Sequence, residues 1–190
     1  MTTAPTPTAE RLDLPAPGTW QIDPTHSSVN FSVRHLGLSK VRGQFGSFTG
    51  ALTVSDEPEQ SAVAVSIDVD SIDTREPTRD AHLKSPDFLD AATSPTIAFT
   101  SRSVTGAGSQ WEVEGDLTIK GLSRPVTLEV TYEGAAGDPW GGSRIAFSAS
   151  TELDREDWGM TYNQALEAGG WLVGKKVKVE LEVEAIRQDG

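Results

Sequence analysis

The sequence contains no cysteine among its 190 residues. This absence excludes disulfide bonds, thiolate nucleophiles and thiolate metal ligands, and it fits a reducing compartment. No apolar run approaches the roughly 20 residues that a membrane-spanning helix requires, so no membrane span is expected. We also find no P-loop, no G-x-S-x-G elbow and no H-E-x-x-H motif. The common catalytic motifs are therefore missing.

Basic residues are scarce, with 16 Lys and Arg against 28 Asp and Glu and a net charge of −12 at pH 7. Nucleic-acid binding uses clustered cations to neutralise phosphates, so nucleic acid is excluded as a bulk electrostatic partner. One window departs from this balance: Pro24 to Ser55 contains no acidic residue but includes Arg34, Lys40 and Arg42. The window predicts a positive patch that either pairs with nearby carboxylates or receives an anionic or polar head group.

The amino terminus differs in composition from the rest of the chain. Residues 1–17 hold four prolines and no continuous hydrophobic segment of the kind that forms a secretory signal. We expect a disordered tail over 1–17, one folded domain over 18–187 and a cytoplasmic location.

Most of the domain shows a period-two alternation of apolar and polar residues, which is typical of strands with one buried face. The last segment is the clearest, because Val177, Val179, Leu181 and Val183 alternate with lysines and glutamates. None of the segments is apolar on both faces, as buried parallel strands would be. Eight long antiparallel strands bury one apolar face and remove their exposed edges by closing on themselves. We therefore predict an all-β, eight-stranded antiparallel barrel.

Three segments interrupt the alternation. Residues 71–90 contain Pro77 and Pro86 at positions suited to the first residue of short helical turns, which predicts a helical lid across the barrel. Residues 36–43 follow a strand and carry glycines at both ends, which predicts a loop or a short helical turn at the barrel mouth. Residues 154–174 are too long for a hairpin connection and are expected to be functional or to cover the core.

Two candidate sites within these segments have simpler explanations. His26, His35 and His82 could supply three zinc ligands, but they lie in separate segments without ligand-type spacing, so no metal site is predicted. The acidic stretch 154–157 could bind a cation or supply paired carboxylates. We interpret it instead as a solvated turn in which Arg155 pairs with a neighbour.

Several segments of the chain resemble the YceI-like family of polyisoprenoid-binding, lipocalin-like proteins. They are TWQIDPTHSSVNFSVRHLGLSKVRGQFGSFTGAL, SIDTREPTRDAHLKSPDFLD, GDLTIKGLSRPVTLEV, DPWGGSRIAFSASTELDREDWGMTYNQ and VGKKVKVELEVEA. The resemblance runs from about Trp20 to Ala185. It implies a lipocalin-like barrel around an elongated apolar pocket for a polyprenyl phosphate or a quinone tail. It also implies a homodimer, and it supplies no catalytic motif.

The resemblance and the residues together lead to the hypothesis of a non-enzymatic lipid carrier. An isoprenoid tail would fill the barrel and its polar end would rest near the positive patch. The expected tail contacts are Phe31, Val33, Phe45, Val69, Phe88, Phe99, Trp158 and Trp171. The expected head-group contacts are His35, Arg42, Arg79 and His82. Apart from this ligand, no cofactor is expected.

Two alternatives stay open at this stage. The same barrel could hold a small-molecule enzyme that uses His35 or a lid carboxylate as its general base. A barrel filled by its own side chains could instead serve as an interaction module. The volume of the cavity separates the filled barrel from the other two hypotheses.

Overall fold

The computed structural model describes residues 14–139, 141–167 and 169–188, which form eleven strands and one α-helix. The strands are β1 (Gly18–Ile22), β2 (Ser28–His35), β3 (Ser39–Phe45), β4 (Phe48–Val54), β5 (Ala62–Asp68), β6 (Ile72–Asp73), β7 (Thr96–Ala107), β8 (Gln110–Ile119), β9 (Leu122–Gly137), β10 (Ser143–Asp154) and β11 (Val173–Arg187). The helix α1 spans Pro77–Lys84, and short 3-10 turns cover Pro58–Gln60, Val69–Ser71 and Arg155–Trp158.

Eight of the strands close into a ring in the order β1-β4-β5-β7-β8-β9-β10-β11, and β11 returns to β1. The length of β11 makes this closure possible. One edge of β11 pairs with β10, whereas its other edge pairs first with β2 and then, from Ala185 to Arg187, with β1. All of these pairings are antiparallel. The predicted eight-stranded antiparallel barrel with one short helical insertion is confirmed.

The predicted loop over residues 36–43 is confined to residues 36–38, and the prediction is wrong from Ser39 onward because Ser39–Phe45 is strand β3. A three-residue connection, residues 36–38, joins β2 to β3. It contains a β-turn in which the Leu38 N–H donates to the His35 carbonyl over 3.0 Å, and both central residues of this turn have positive φ, 55° at Leu36 and 69° at Gly37. The right-handed twist of a hairpin favours such a turn. Gly43 occupies an inward position opposite Phe31. Because this inward residue has no apolar side chain, the alternation of β3 is not visible in the sequence.

Helix α1 begins at Pro77, as its sequence predicts. The Glu76 carboxylate caps it by accepting hydrogen bonds from the backbone N–H groups of Thr78 (3.1 Å) and Arg79 (2.6 Å). The second predicted helical turn is a hydrogen-bonded turn, in which the Phe88 N–H donates to the Ser85 carbonyl over 3.0 Å. None of the helices in the described part of the chain is long and apolar enough to cross a bilayer.

Two clusters of buried side chains stabilise the barrel. The larger lies where Leu83 of α1 packs, and we call this the helix end of the barrel. Its buried members are Val69, Ile72, Leu89, Ala91, Ile97, Ile119, Val126, Trp158 and Met160. The smaller cluster consists of Trp20, Tyr132, Ile145 and Ala185. Between the clusters, the inward side chains leave open space.

We expect Gly115→Ala to lower the free energy of unfolding by about 2 kcal/mol, because its Cβ overpacks the barrel wall. Gly115 is buried on β8, and a Cβ there would lie 2.5 Å from Cζ of Phe99 and 2.5 Å from the Thr100 carbonyl oxygen. The matched control is Gly137→Ala on β9, whose Cβ meets nothing closer than 3.9 Å. Equal urea midpoints for the two variants would contradict the expectation.

Candidate functional site

The barrel encloses a cavity of about 480 Å³. Inward side chains of β4, β5 and β7 to β11 form most of its wall, and they include Val65, Phe99, Leu128, Ala149 and Leu181. The barrel is therefore not filled by its own side chains. The volume lies within the roughly 300–1,000 Å³ that is typical of small-molecule sites.

The chemistry of the wall is almost uniformly apolar. Among the described residues that line the cavity, the charged side chains are Asp56 and Glu182, and both residues are exposed to solvent. Val63, Val65 and Ile67 show the pattern of the remaining wall, because each second residue of β5 faces the cavity. Such a wall offers an apolar chain a favourable transfer from water and offers an ionic group no partner.

Residues 14–17 of the predicted tail lie on the cavity wall, together with Ser55, Asp56 and Pro58 of the β4–β5 connection. The Trp20 indole N–H donates to the Ala16 carbonyl over 3.1 Å, and the Arg187 guanidinium donates to the Pro17 carbonyl over 2.9 Å. Residues 1–13 of the predicted tail lie outside the described residues.

Five of the eight expected tail contacts lie on the cavity wall or in the buried cluster at the helix end. Phe99 lies on the cavity wall. Val69 and Trp158 belong to the buried cluster at the helix end, where Phe31 and Phe45 pack with ring centroids 5.7 Å apart.

The remaining three expected tail contacts lie on separate elements. Val33 is half-buried on β2, where it pairs with Val41. Phe88 is buried and packs its ring against Tyr162, with 5.4 Å between the ring centroids. Trp171, on the loop before β11, is 57% exposed.

The structure brings two of the four expected head-group contacts together on α1. The Arg79 side chain donates to the Thr74 hydroxyl oxygen (2.7 Å) and to the Thr74 carbonyl oxygen (2.8 Å). His82 Nε2 lies 2.9 Å from Oδ2 of Asp87. His35 ends β2, and Arg42 is exposed on β3 opposite Ser32. The role of these four residues in head-group binding stays a prediction.

Arg155 is a buried cation that the sequence interpretation placed in a solvated turn, and that interpretation is wrong for this residue. Arg155 is 4% exposed. Its Nε donates to the Gly174 carbonyl over 3.0 Å, and Nη1 donates to the Met160 carbonyl. Burial lowers the pKa of the Arg155 guanidinium. Thr151 and Leu153 both face the cavity. Because every second residue of a strand faces the same way, position 155 continues this inward series, and the sequence could have indicated its burial.

Among the residues that the structure describes, one group of side chains has a geometry that could hold a metal ion: Asp23, His26 and Glu184. A guanidinium already occupies this group, because Arg144 Nη1 donates to Oδ2 of Asp23 over 2.9 Å and also contacts the Glu184 carboxylate. The three histidines that the sequence offers as alternative zinc ligands do not form this group. His26 precedes β2 and His35 ends it, and the seven residue steps from Ser28 to His35 alone span about 23 Å at 3.3 Å per residue.

Asp23 gives this network a predictable pH dependence. Hydrogen bonds from the hydroxyl of Thr25, from His26 and from Arg144 hold the pKa of the Asp23 carboxyl well below its usual range. A depressed pKa in the folded state stabilises the protein above the unfolded pKa of about 3.9, and this contribution is lost as the pH falls. We expect Asp23→Asn to destabilise the protein most at pH 7 and progressively less toward about pH 2. Urea unfolding across this range measures the effect, and a pH-independent loss would contradict it.

Most of the chain matches a known protein family. The family model for the YceI-like domain matches residues 20–185. A UPF0312 protein from Vibrio cholerae is 38% identical over 167 residues, which cover 86% of this chain and 83% of the relative.

Solved structures share the architecture. BcnA from Burkholderia cenocepacia superimposes with a TM-score of 0.73 at 24% identity, covering 86% of this chain and 98% of that chain. A polyisoprenoid-binding domain from Saccharophagus degradans, implicated in plant cell wall breakdown, superimposes with a TM-score of 0.68 at 14% identity. That match covers 91% of this chain and all of that domain, 100%. At these identities the two structures show a common fold.

Proposed function

The chain belongs to the YceI-like domain family, and from this premise we propose that it binds a long-chain isoprenoid lipid in its barrel cavity without catalysing a reaction. The observation that carries the proposal is the apolar cavity of about 480 Å³ inside the closed barrel. A polyisoprenoid-binding domain with the same fold supports this choice of ligand class.

The energetics of burial favour such a ligand. Each buried CH₂-sized unit contributes about 0.8 kcal/mol, so two or three isoprene units contribute about 8–12 kcal/mol and offset most of an association cost of roughly 4–15 kcal/mol. The regular double bonds of a polyprenyl chain leave fewer rotatable bonds to immobilise than a saturated acyl chain of the same length does. The cavity is therefore expected to prefer an isoprenoid to a fatty acid.

The position of the titratable side chains favours binding over catalysis. A general base must reach the reacting atom within hydrogen-bond distance. The described cavity wall carries the carboxylates of Asp56 and Glu182, and both residues are exposed to solvent. His35 is not among the described residues that line the cavity. A bound apolar chain would meet hydrocarbon along most of its length. We therefore propose a carrier or reservoir in preference to an enzyme.

Organic extraction of the purified full-length protein, followed by mass spectrometry of the extract, tests the proposal. We expect a prenyl lipid close to one equivalent per chain. If no prenyl lipid is extracted, the same protein is stripped, refolded and titrated with geranylgeraniol. Failure to retain a prenyl lipid in both experiments would refute the proposal.

Three further features stay proposals from the sequence and the resemblance. They are a cytoplasmic location, a homodimer, and a polyprenyl phosphate or quinone as the natural ligand. Fractionation of cells addresses the first, and light scattering of purified protein addresses the second. The extracted lipid identifies the third.

A further inference from the structure

Apolar side chains are exposed where the β2–β3 hairpin meets the loop before β11. Leu38 is 81% exposed, Trp171 57% and Leu36 40%. The Leu36 N–H donates to the Leu172 carbonyl over 2.9 Å, so the hairpin tip and the loop lie side by side. We call Leu36, Leu38 and Trp171 the tip patch. Exposed apolar groups gathered in one place are typical of interaction surfaces.

The hairpin tip has a conformation that does not favour leucine. Leu36 has a φ of 55°, in the left-handed region where an L residue is strained and where asparagine or glycine is preferred in such turns. Neither buried cluster of the described chain includes a residue of the tip patch. The packing of the barrel therefore does not explain why these side chains are apolar.

Cations lie next to the tip patch, in a chain whose net charge is −12. Arg34 and Lys40 are partners on the two strands that lead to the tip, and Arg42 lies further along β3. All three are exposed. None of them forms a salt bridge with another described residue. The pKa of the Glu180 carboxyl is lowered by its hydrogen bond from Lys178 and, to a smaller extent, by the charges of Lys40 and Arg42. Glu180 therefore balances part of this positive charge, and the exposed remainder is available to an external partner.

The adjacent strand β11 adds lysines whose charges are already balanced. The pairs are Lys175 with Glu156, Lys176 with Asp154 and Lys178 with Glu180. The loop before β11 contributes one carboxylate, that of Glu167, between residues 161 and 172. Glu152, which lies opposite Lys178 on β10, adds a further carboxylate. The lysines of β11 are therefore matched by acidic residues, and the positive charge near the tip patch comes from Arg34, Lys40 and Arg42 on β2 and β3.

We propose that the tip patch docks on the surface of an anionic phospholipid bilayer, with Leu38 and Trp171 entering the interface. Tryptophan and leucine favour the membrane interface, and Lys and Arg beside them are attracted to anionic lipids. This extends the proposed function, since a lipid carrier has to meet a membrane. The cavity wall in the described chain includes none of the three tip-patch residues, so docking and lipid retention are separable.

Vesicle flotation of the full-length chain tests the docking. One set of vesicles contains phosphatidylglycerol and phosphatidylcholine in equal parts, and the other contains phosphatidylcholine alone. We expect the protein to float with the anionic vesicles only. At high salt the floated fraction should fall by about tenfold, because the surface charges are screened. The double variant Leu38→Ser with Trp171→Ser is expected to weaken flotation by about tenfold or more.

A charge-matched pair controls for net charge. Lys40→Glu and Arg102→Glu change the net charge equally, but Arg102 lies on β7, where it pairs with Asp116 at 2.6 Å. We expect Lys40→Glu to weaken flotation by about tenfold and Arg102→Glu to have little effect. Equal effects of the two variants would overturn the proposal, as would wild-type flotation that does not distinguish the vesicles or fails with both.

Further outcomes distinguish membrane docking from a contact between copies of the chain and from the proposed carrier function. A serine variant that dissociates a dimer without changing flotation would identify the tip patch as a contact between copies of this chain and overturn docking. Ala149→Trp, which fills the cavity, is expected to lose prenyl lipid and to keep flotation. Retained lipid without flotation in the wild type would refute docking alone, whereas flotation without any lipid retention would refute the carrier function alone.

Discussion

Ala149→Trp is expected to abolish the retention of prenyl lipid while leaving the barrel folded. Ala149 lies on β10 between Val130 and Leu181, and all three residues line the cavity. An indole at this position would take the place of about one isoprene unit. Five carbons at about 0.8 kcal/mol each amount to about 4 kcal/mol, which corresponds to roughly a thousandfold loss of affinity. Native mass spectrometry and titration with geranylgeraniol measure the loss.

Ala64→Trp provides the matched control for this substitution. Ala64 is exposed on β5, and its neighbours Val63 and Val65 face the cavity, so the new indole would point to solvent. The control should retain lipid as the wild type does. Equal retention by both variants, with circular dichroism showing intact strands, would mean that the lipid binds elsewhere on the protein.

The wall of this cavity could be predicted from the sequence because strand geometry alone decides which residues share a face. Val126, Leu128, Val130 and Tyr132 alternate with polar residues along β9, and all four line the cavity. Successive side chains of a strand point to opposite faces whatever the rest of the fold does. The alternation therefore predicted both the barrel and the inward set of residues.

The hollow part of the barrel could not be predicted in the same way. Phe99 and Trp158 are both inward and apolar, yet Phe99 lies on the cavity wall and Trp158 lies in the buried cluster at the helix end. Whether an inward side chain meets a ligand or another side chain depends on the sizes of its neighbours across the barrel. Small residues such as Ala149 leave space, and this comparison requires the three-dimensional pairing.

Local contacts at Gly43 and Arg79 could not be predicted from the sequence. A Cβ at Gly43 would lie 2.8 Å from Cε1 of Phe31, so the glycine makes room for that ring and interrupts the alternation of β3. The sequence places Arg79 on the helical lid but does not indicate that its guanidinium binds Thr74 five residues away. Neither contact has a signature in the order of residue types along the chain.

The second large effect is expected at Arg155, whose guanidinium ties the long β10–β11 connection to the start of β11. We expect Arg155→Met to lower the free energy of unfolding by about 2–5 kcal/mol. The carbonyl oxygens of Met160, which is buried, and of Gly174, which is half-buried, would lose their donor, and an unsatisfied buried acceptor costs about 1–3 kcal/mol. The contact of the guanidinium with the Phe88 ring, 6.0 Å from its centroid, would be lost as well.

The desolvation of Arg155 acts in the opposite direction, because removing a buried charge raises the free energy of unfolding. The guanidinium is desolvated, and its Nη2 has no hydrogen-bond partner within the described residues, so removing the charge relieves part of its burial cost. We expect the two lost carbonyl contacts to outweigh this relief. The control is Arg102→Met, whose exposed ion pair with Asp116 should contribute less than about 1 kcal/mol. If urea unfolding shows Arg155→Met to be as stable as the wild type or more stable, desolvation dominates at this site and the assignment of Arg155 as a stabilising residue is wrong.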